Sequence, residues 1–312
     1  MPGLPAGQAG RNGILDGLRG PEDLRRLSIV ELRRLAAEIR ELMISTVAQT
    51  GGHLAPSLGT VELTLALHYV FDTPGDKIVW DVGHQCYAHK IITGRLNEFQ
   101  TLRQAEGISG FPKRAESVYD VFDSGHSGDS ISVALGLALG RERLAAEATV
   151  SSEPGADTRR PKIIAVIGDG SIAAGVALEA LNHAGGLRGD IIVILNDNEM
   201  SIARTTGGLA DYLNRVITGR SYNRLRADVW NLLGRLPSNL SGTARLAARK
   251  VEEGLKNLVA PSGIFEELGL RYFGPFDGHN LITLIDMLRK VKAIKGPILV
   301  HVVTRKGKGY PP

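Results

Sequence analysis

The chain has 312 residues, 43% of them hydrophobic, and a net charge of +4 with a pI of about 9.2, an ordinary globular composition with a mild bias toward anionic ligands. It contains no apolar run of about 18 residues or more, and MPGLPAGQAGRNGILDGLRG has no apolar leader, so neither a membrane span nor a secretory signal is expected. Aromatics are 5% and basic residues alternate with acidic ones, which argues against a nucleic-acid partner; the single cysteine, Cys86, forms no internal disulfide and suits a cytoplasmic protein.

Residues 1–20 read as a flexible arm and 21–312 as one domain. Ser28 followed by Glu31 is a capping box, and Leu32, Leu35, Ile39 and Leu42 or Met43 fall on one helical face that Gly51 and Gly52 end. A second helix is expected over about 59–71. KIVWDVG (77–83) reads as a buried strand, and SGHSGDSISVALGLALG as a loop running into a helix. Residues 147–161 are polar and read as a surface loop. KIIAVIG, AAGVALEALNHAG and DIIVILNDN give strand, helix, strand. Residues 201–261 read as loops with helices, the basic side chains of 214–256 forming either a solvated helix face or a partner surface. FEELGLRYFGPFDGHN, LITLIDMLRKVKAI and GPILVHVVT supply strand, loop, helix and last strand before the polar tail KGKGYPP. The alternation predicts an α/β fold, a mostly parallel sheet flanked by helices on both faces.

IGDGSIAAG places a carboxylate, Asp169, between two glycines where a buried strand should turn into a helix. Asn196, Asp197 and Asn198 end the next strand. A right-handed crossover sets these two strands side by side, so Asp169 and Asn198 reach the carboxyl edge of the sheet, where α/β folds bind ligands. A carboxylate and an amide oxygen are hard ligands that suit Mg²⁺, and the helix after Gly170 would offer N–H groups to an anion. The plain alternative is that Asp and Asn terminate strands and cap helices. No GxxxxGK[ST] string is present, which disfavours a nucleotide triphosphate site.

Four histidines follow glycine at predicted boundaries: His53, His84, His126 and His279. Imidazoles suit proton transfer and hydrogen bonding to phosphate. His68 and His183 lie in helical patterns and read as packing or capping residues, and His301 sits in a strand pattern. No His/Cys spacing suggests a transition-metal site.

GDG after a strand with NDN ending the next strand resembles the thiamine diphosphate motif of the transketolase-like enzymes. TGGHLAPSLGTVELTLALHYVFDTPGDKIVWDVGHQCYAHKIITGR, SGHS, NHAG, LNDNEMSI, FEELGLRYFGPFDGH and KGKGY more specifically resemble the 1-deoxy-D-xylulose-5-phosphate synthase family, from about Pro21 onward. The resemblance implies a thiamine diphosphate-binding fold with thiamine diphosphate and Mg²⁺ as cofactors. It implies a metal held by Asp169, Asn198 and the Met200 carbonyl. It implies a diphosphate touched by Gly170, Ser171, Asn198, His84, Gly125, His126 and Ser127, a cofactor flanked by Tyr272, and substrate-side catalytic roles for His53 and His279. The implied reaction condenses pyruvate with D-glyceraldehyde 3-phosphate with loss of CO₂, at the head of isoprenoid and thiamine biosynthesis.

Chains of that family are about twice this length, so what is present corresponds to the diphosphate-binding domain, and the pyrimidine-binding and C-terminal domains are absent. The pyrimidine domain supplies the family's activating glutamate, and no residue here stands in for it. The expectation is an enzyme half, inactive alone, completed by a separate pyrimidine-domain chain or else a truncated piece, and assembled as a homodimer or heterotetramer. Gly128 and Asp129 where the family has Ser-Thr, Arg204, and the long 147–161 loop depart from the pattern. They leave open a different donor and acceptor pair, or a non-catalytic cofactor-binding module.

Overall fold

The structure, a computed structural model, describes residues 13–151, 160–198, 200, 206–218 and 263–310. Residues 1–12, part of the 147–161 loop, Arg204 and most of 201–261, including the basic residues from 219 on, lie outside the described residues.

Apolar runs punctuated by glycine and aspartate make five strands: β1 (Lys77–Trp80), β2 (Ile163–Gly168), β3 (Ile191–Asp197), β4 (Arg271–Asp277) and β5 (Ile298–Val303). All pair in parallel, in the order β1-β2-β3-β5-β4. β3 is buried along its whole length, as strands covered on both faces must be. Alternate residues serve opposite faces. Ile164, Val166, Ile192, Ile194, Val300 and Val302 join the core on one side, and Ile163, Ala165, Ile191, Val193, Leu195 and Leu299 the core on the other.

Eight of the helices before β4 are α1 (Pro21–Leu24), α2 (Ile29–Thr50), α3 (Leu54–Gly59), α4 (Val61–Val70), α5 (Tyr87–Ile92), α6 (Ser130–Ser151), α7 (Asp169–Ile172) and α8 (Gly175–Leu187). The chain steps from β1 to β2 to β3 in one direction with α6 and α8 on one face. It steps back from β4 to β5, and the connecting helix Leu281–Lys292 falls on the opposite face with α2, α4 and α5. Right-handed crossovers produce this division. Helix α2 begins at the Ser28–Glu31 capping box and ends where Gly51 takes φ 72.

Three boundaries differ from the sequence expectation. Residues 13–20 are packed, with Leu15 and Leu18 buried, so the ordered body starts before Pro21. The helix expected over about 59–71 is α4, which starts at Val61, and the short α3 precedes it, the two meeting at Thr60, whose hydroxyl donates to the Gln85 carbonyl at 3.1 Å. Helix α6 continues to Ser151, into the segment read as a loop.

A buried charge network ties the 109–123 segment to the helical layer. His68 Nε2 meets His89 Nδ1 at 2.9 Å, and His89 Nε2 meets Asp120 Oδ1 at 2.9 Å. Arg95 donates to both Asp120 oxygens at 2.6 and 2.9 Å, and Lys113 N–H adds a third donor at 2.8 Å. Lys90, fully buried, donates to Glu116 at 2.6 Å. The hydrogen bonds and Arg95 outweigh burial and hold the Asp120 carboxyl well below the usual range. A charge left unpaired at such depth costs several kcal/mol. Asp120→Ala is therefore expected to destabilise the fold by about 3–5 kcal/mol in chemical denaturation; a loss below about 1 kcal/mol would show that the network is not coupled.

Candidate functional site

The carboxyl ends of β1, β2 and β3 each carry an aspartate, and the three have different partners. Asp81, just past β1 and buried, accepts the Gly128 N–H at 3.0 Å on both oxygens and the Ser130 N–H at 3.2 Å. The Val82 N–H donates to the His126 carbonyl at 3.2 Å. These bonds fix the Gly125–Ser130 loop at the start of α6. Gly128 takes φ 92, and a Cβ there would lie 3.1 Å from that of Ala174, so the departure to glycine at 128 is steric. The Asp129 carboxyl beside it is pushed up by burial and then by Asp81.

Asp169, buried at the end of β2, approaches the next strand's end, with the Asn198 N–H 3.5 Å from its Oδ1. Asn198 Oδ1 accepts the Met200 N–H at 3.1 Å. Ser127 Oγ donates to Ser171 Oγ at 3.1 Å, joining the GHSG and GDGS loops directly. The helix expected straight after Gly170 is instead one turn, α7, and a break before α8. The structure thus brings Asp169, Gly170, Ser171, Asn198, Met200, Gly125, His126 and Ser127 to one edge, with His126 and Ser127 exposed.

A histidine pair adjoins this edge. The His53 and His84 rings lie 5.7 Å apart, and His53 is 5.7 Å from Phe111, the aromatic carried by the buried charge network. The Tyr87 hydroxyl accepts the His53 N–H at 3.0 Å. A Cβ at Gly83 would collide with Pro112, so the turn into His84 requires glycine at φ 83. Burial, then His53 and Lys306, brings His84 down to about 4, and burial, then Arg103, lowers His53. Both rings are neutral near pH 7.

His279 has a protein partner at each ring nitrogen. Its Nε2 accepts the Arg305 N–H at 2.8 Å, so Nδ1 carries the proton and donates to Glu62 Oε2 at 3.1 Å. Arg40 pairs with both Glu62 oxygens at 2.7 and 2.6 Å. Burial opposes the charge on Glu62, but His279 and Arg40 outweigh it and hold the carboxyl at about 2. With both ring nitrogens engaged, His279 clasps the segment after β5 to α4. Tyr272 is the second residue of β4, stacked on Phe265 with ring centroids 5.9 Å apart and bonded to His301. His183 is exposed, whereas His68 is buried as expected. Burial pushes the Cys86 thiol up to about 12, which rules it out as a nucleophile at neutral pH.

Among the described residues, six buried polar side-chain atoms on these loops have no hydrogen-bond partner: His53 Nδ1, His84 Nδ1, Gln85 Oε1, Ser124 Oγ, Asp129 Oδ1 and Ser130 Oγ. Buried polar atoms are normally satisfied, so their concentration here marks a surface shaped for a ligand. Among the described residues, no group of three or more His, Cys, Asp or Glu side chains is arranged to hold a metal ion. One carboxylate and one amide oxygen suit a hard cation that keeps water or phosphate ligands.

The model of the family described as 1-deoxy-D-xylulose-5-phosphate synthase matches residues 15–304. The chain belongs to the 1-deoxy-D-xylulose-5-phosphate synthase family. The enzyme of that name from Desulforudis audaxviator is 53% identical over 301 residues, covering 96% of this chain and 45% of that one. That of Syntrophus aciditrophicus is 51% identical, covering 98% of this chain and 45% of its own length. The chain thus spans about 45% of the length of these synthase relatives. Transketolases from Leishmania mexicana and Campylobacter jejuni share the fold at TM-score 0.61 and 20% identity, over 89% and 91% of this chain and 37% and 39% of theirs. As a synthase-family domain it has, among the described residues, no helix long and apolar enough to cross a membrane.

The histidines fix a pH dependence. His53, His68, His84 and His89 all have lowered pKa values, with burial the largest cause in each. The unfolded chain therefore binds protons that the folded one refuses, and stability falls as pH drops below 6.5. For His84 the loss runs from 6.5 to about 4. Urea midpoints measured from pH 7.5 to 4 should decline through that window, and His84→Asn should flatten the decline; a constant midpoint would contradict these assignments.

Proposed function

We propose that this chain is the metal- and diphosphate-binding half of a thiamine diphosphate-dependent synthase that condenses pyruvate with D-glyceraldehyde 3-phosphate and releases CO₂. The observation that carries the reading is the Ser127–Ser171 contact, which closes the Asp81-anchored loop onto the Asp169 loop opposite Asn198. The synthase relatives support the reaction.

Asp169 and Asn198 would hold Mg²⁺ with the Met200 carbonyl. Ser127, Ser171, His84, His126 and the backbone of Gly125 and Gly170 would hold the diphosphate, hydroxyls, imidazoles and backbone N–H groups being hydrogen-bond donors. Bound thiamine diphosphate supplies the carbanion stabilisation that decarboxylation and carbon–carbon bond formation require. His53, neutral near pH 7 and held by Tyr87 and Phe111, would exchange protons or bond with substrate beside His84. His279 acts as a positioning residue, keeping the segment that carries Lys306 against α3 and α4, where the Gly307 N–H donates to the Ala55 carbonyl at 2.8 Å.

We further propose that turnover requires a pyrimidine-binding domain supplied by other polypeptide, in a cytoplasmic dimer or heterotetramer. In calorimetry the chain should bind thiamine diphosphate with Mg²⁺, weakly, and Asp169→Ala should abolish binding; unchanged binding would overturn the metal assignment. CO₂ release from pyruvate and D-glyceraldehyde 3-phosphate should appear only when a pyrimidine-domain chain is added. Turnover by this chain alone would overturn the partner requirement.

A further inference from the structure

Three polar residues end β3, and the structure gives two of them fixed partners in the sheet. Asn196 Oδ1 accepts the Thr304 hydroxyl at 2.7 Å. Asp197 Oδ2 accepts from His301 Nε2 at 3.0 Å, and the Asp197 carbonyl accepts the Thr304 N–H at 2.8 Å. The chain of bonds continues inward, with His301 Nδ1 2.6 Å from the Tyr272 hydroxyl. On a neutral ring, Nε2–H goes to the carboxylate and Nδ1 takes the Tyr272 proton, so every donor meets an acceptor. Asp197, His301 and Tyr272 are all buried. Gly274 lets β4 press against this point, because a Cβ there would collide with the His301 carbonyl.

We propose that Tyr272, His301 and Asp197 are positioning residues that lock the end of β3 so that Asn198, and not its neighbours, faces the divalent cation. The inference rests on the metal reading of Asp169 and Asn198 given above. Side chains alternate along a strand, so Asp197 shares the Tyr272 face and Asn198 follows on the other. A carboxylate next to a cation site is itself a hard ligand. Held by His301, Asp197 is kept turned toward β5 and β4, and the Asn198–Met200 turn leaves from a fixed strand end. Asp197 is joined to Asn198 through the backbone, and groups that fix the surroundings of a metal ligand commonly govern affinity by orienting it.

The test uses the full chain and the binding of Mn²⁺ in the presence of thiamine diphosphate, followed by electron paramagnetic resonance, with denaturation midpoints measured without metal. His301→Leu should weaken Mn²⁺ binding roughly tenfold to a hundredfold. His301→Gln, which retains an N–H donor toward Asp197, should recover most of that loss. Tyr272→Phe, which removes one hydroxyl and keeps the stacked ring, should give a smaller loss. Midpoints that move alike in the Leu and Gln variants alongside unequal affinities support positioning. Equal affinities in the Leu and Gln variants, or losses that simply follow the midpoints, would overturn it. If His301→Leu does not fold, unchanged Mn²⁺ affinity in Tyr272→Phe overturns the inference and a weakened one supports it. Asp169→Ala runs in parallel. Wild-type chain that binds no Mn²⁺ overturns the site reading and this inference together, whereas wild-type binding that Asp169→Ala abolishes and the His301 and Tyr272 variants preserve overturns the inference alone.

Discussion

Parallel strands in one sheet share a direction, so their carboxyl ends arrive at a single edge, and every group discussed above depends on that geometry. β1, β2 and β3 lie side by side, with Trp80 beside Val166 and Gly168 beside Asn196. The aspartates at or just past those ends therefore lie in a row. Their environments assign them different work. Asp81 accepts loop N–H groups and builds the Gly125–Ser130 turn. Asp169 faces Asn198. Asp197 is bonded to His301.

Around this edge, buried charge is used to hold loops rather than to stabilise the core in general. A buried ion pair gains little over well-packed apolar side chains, but breaking one is expensive. The His68–His89–Asp120–Arg95 network carries that logic to Phe111 and Pro112, which contact His53 and Gly83. The Arg40–Glu62–His279 clasp does the same for the segment after β5. Two loops without regular structure are thereby fixed by side chains that reach them from helices α4 and α5 and the Arg95 turn.

The fold was legible in the sequence because fully buried parallel strands give short continuous apolar runs, such as IIAVIG and IIVIL, and because Ser28 and Glu31 announce a helix start chemically. The Asp169–Asn198 pair was legible for the same reason: both residues follow directly from a strand end. Helix limits were less so. The short α3 before Thr60 was not read, and the Thr60 hydroxyl that marks the joint with α4 bonds to Gln85, a partner 25 residues away that periodicity cannot register. The protein partners of Tyr272 and His279 were not legible, since aromatic and imidazole side chains suit a core, a clasp or a ligand equally, and only the third dimension supplies Phe265, Glu62 and Arg305. Asp81 was overlooked although its signal, an aspartate directly after an apolar strand, was the one used for Asp169.

The central claim is that Asp169 and Asn198 form a divalent-cation site at this edge. Its most direct test is a crystal of the chain grown with Mn²⁺ and thiamine diphosphate, measured at the manganese absorption edge. The account predicts an anomalous peak at coordination distance, about 2.0–2.3 Å, from an Asp169 oxygen and from Asn198 Oδ1. A peak elsewhere, with these two residues contacting only protein, would contradict it.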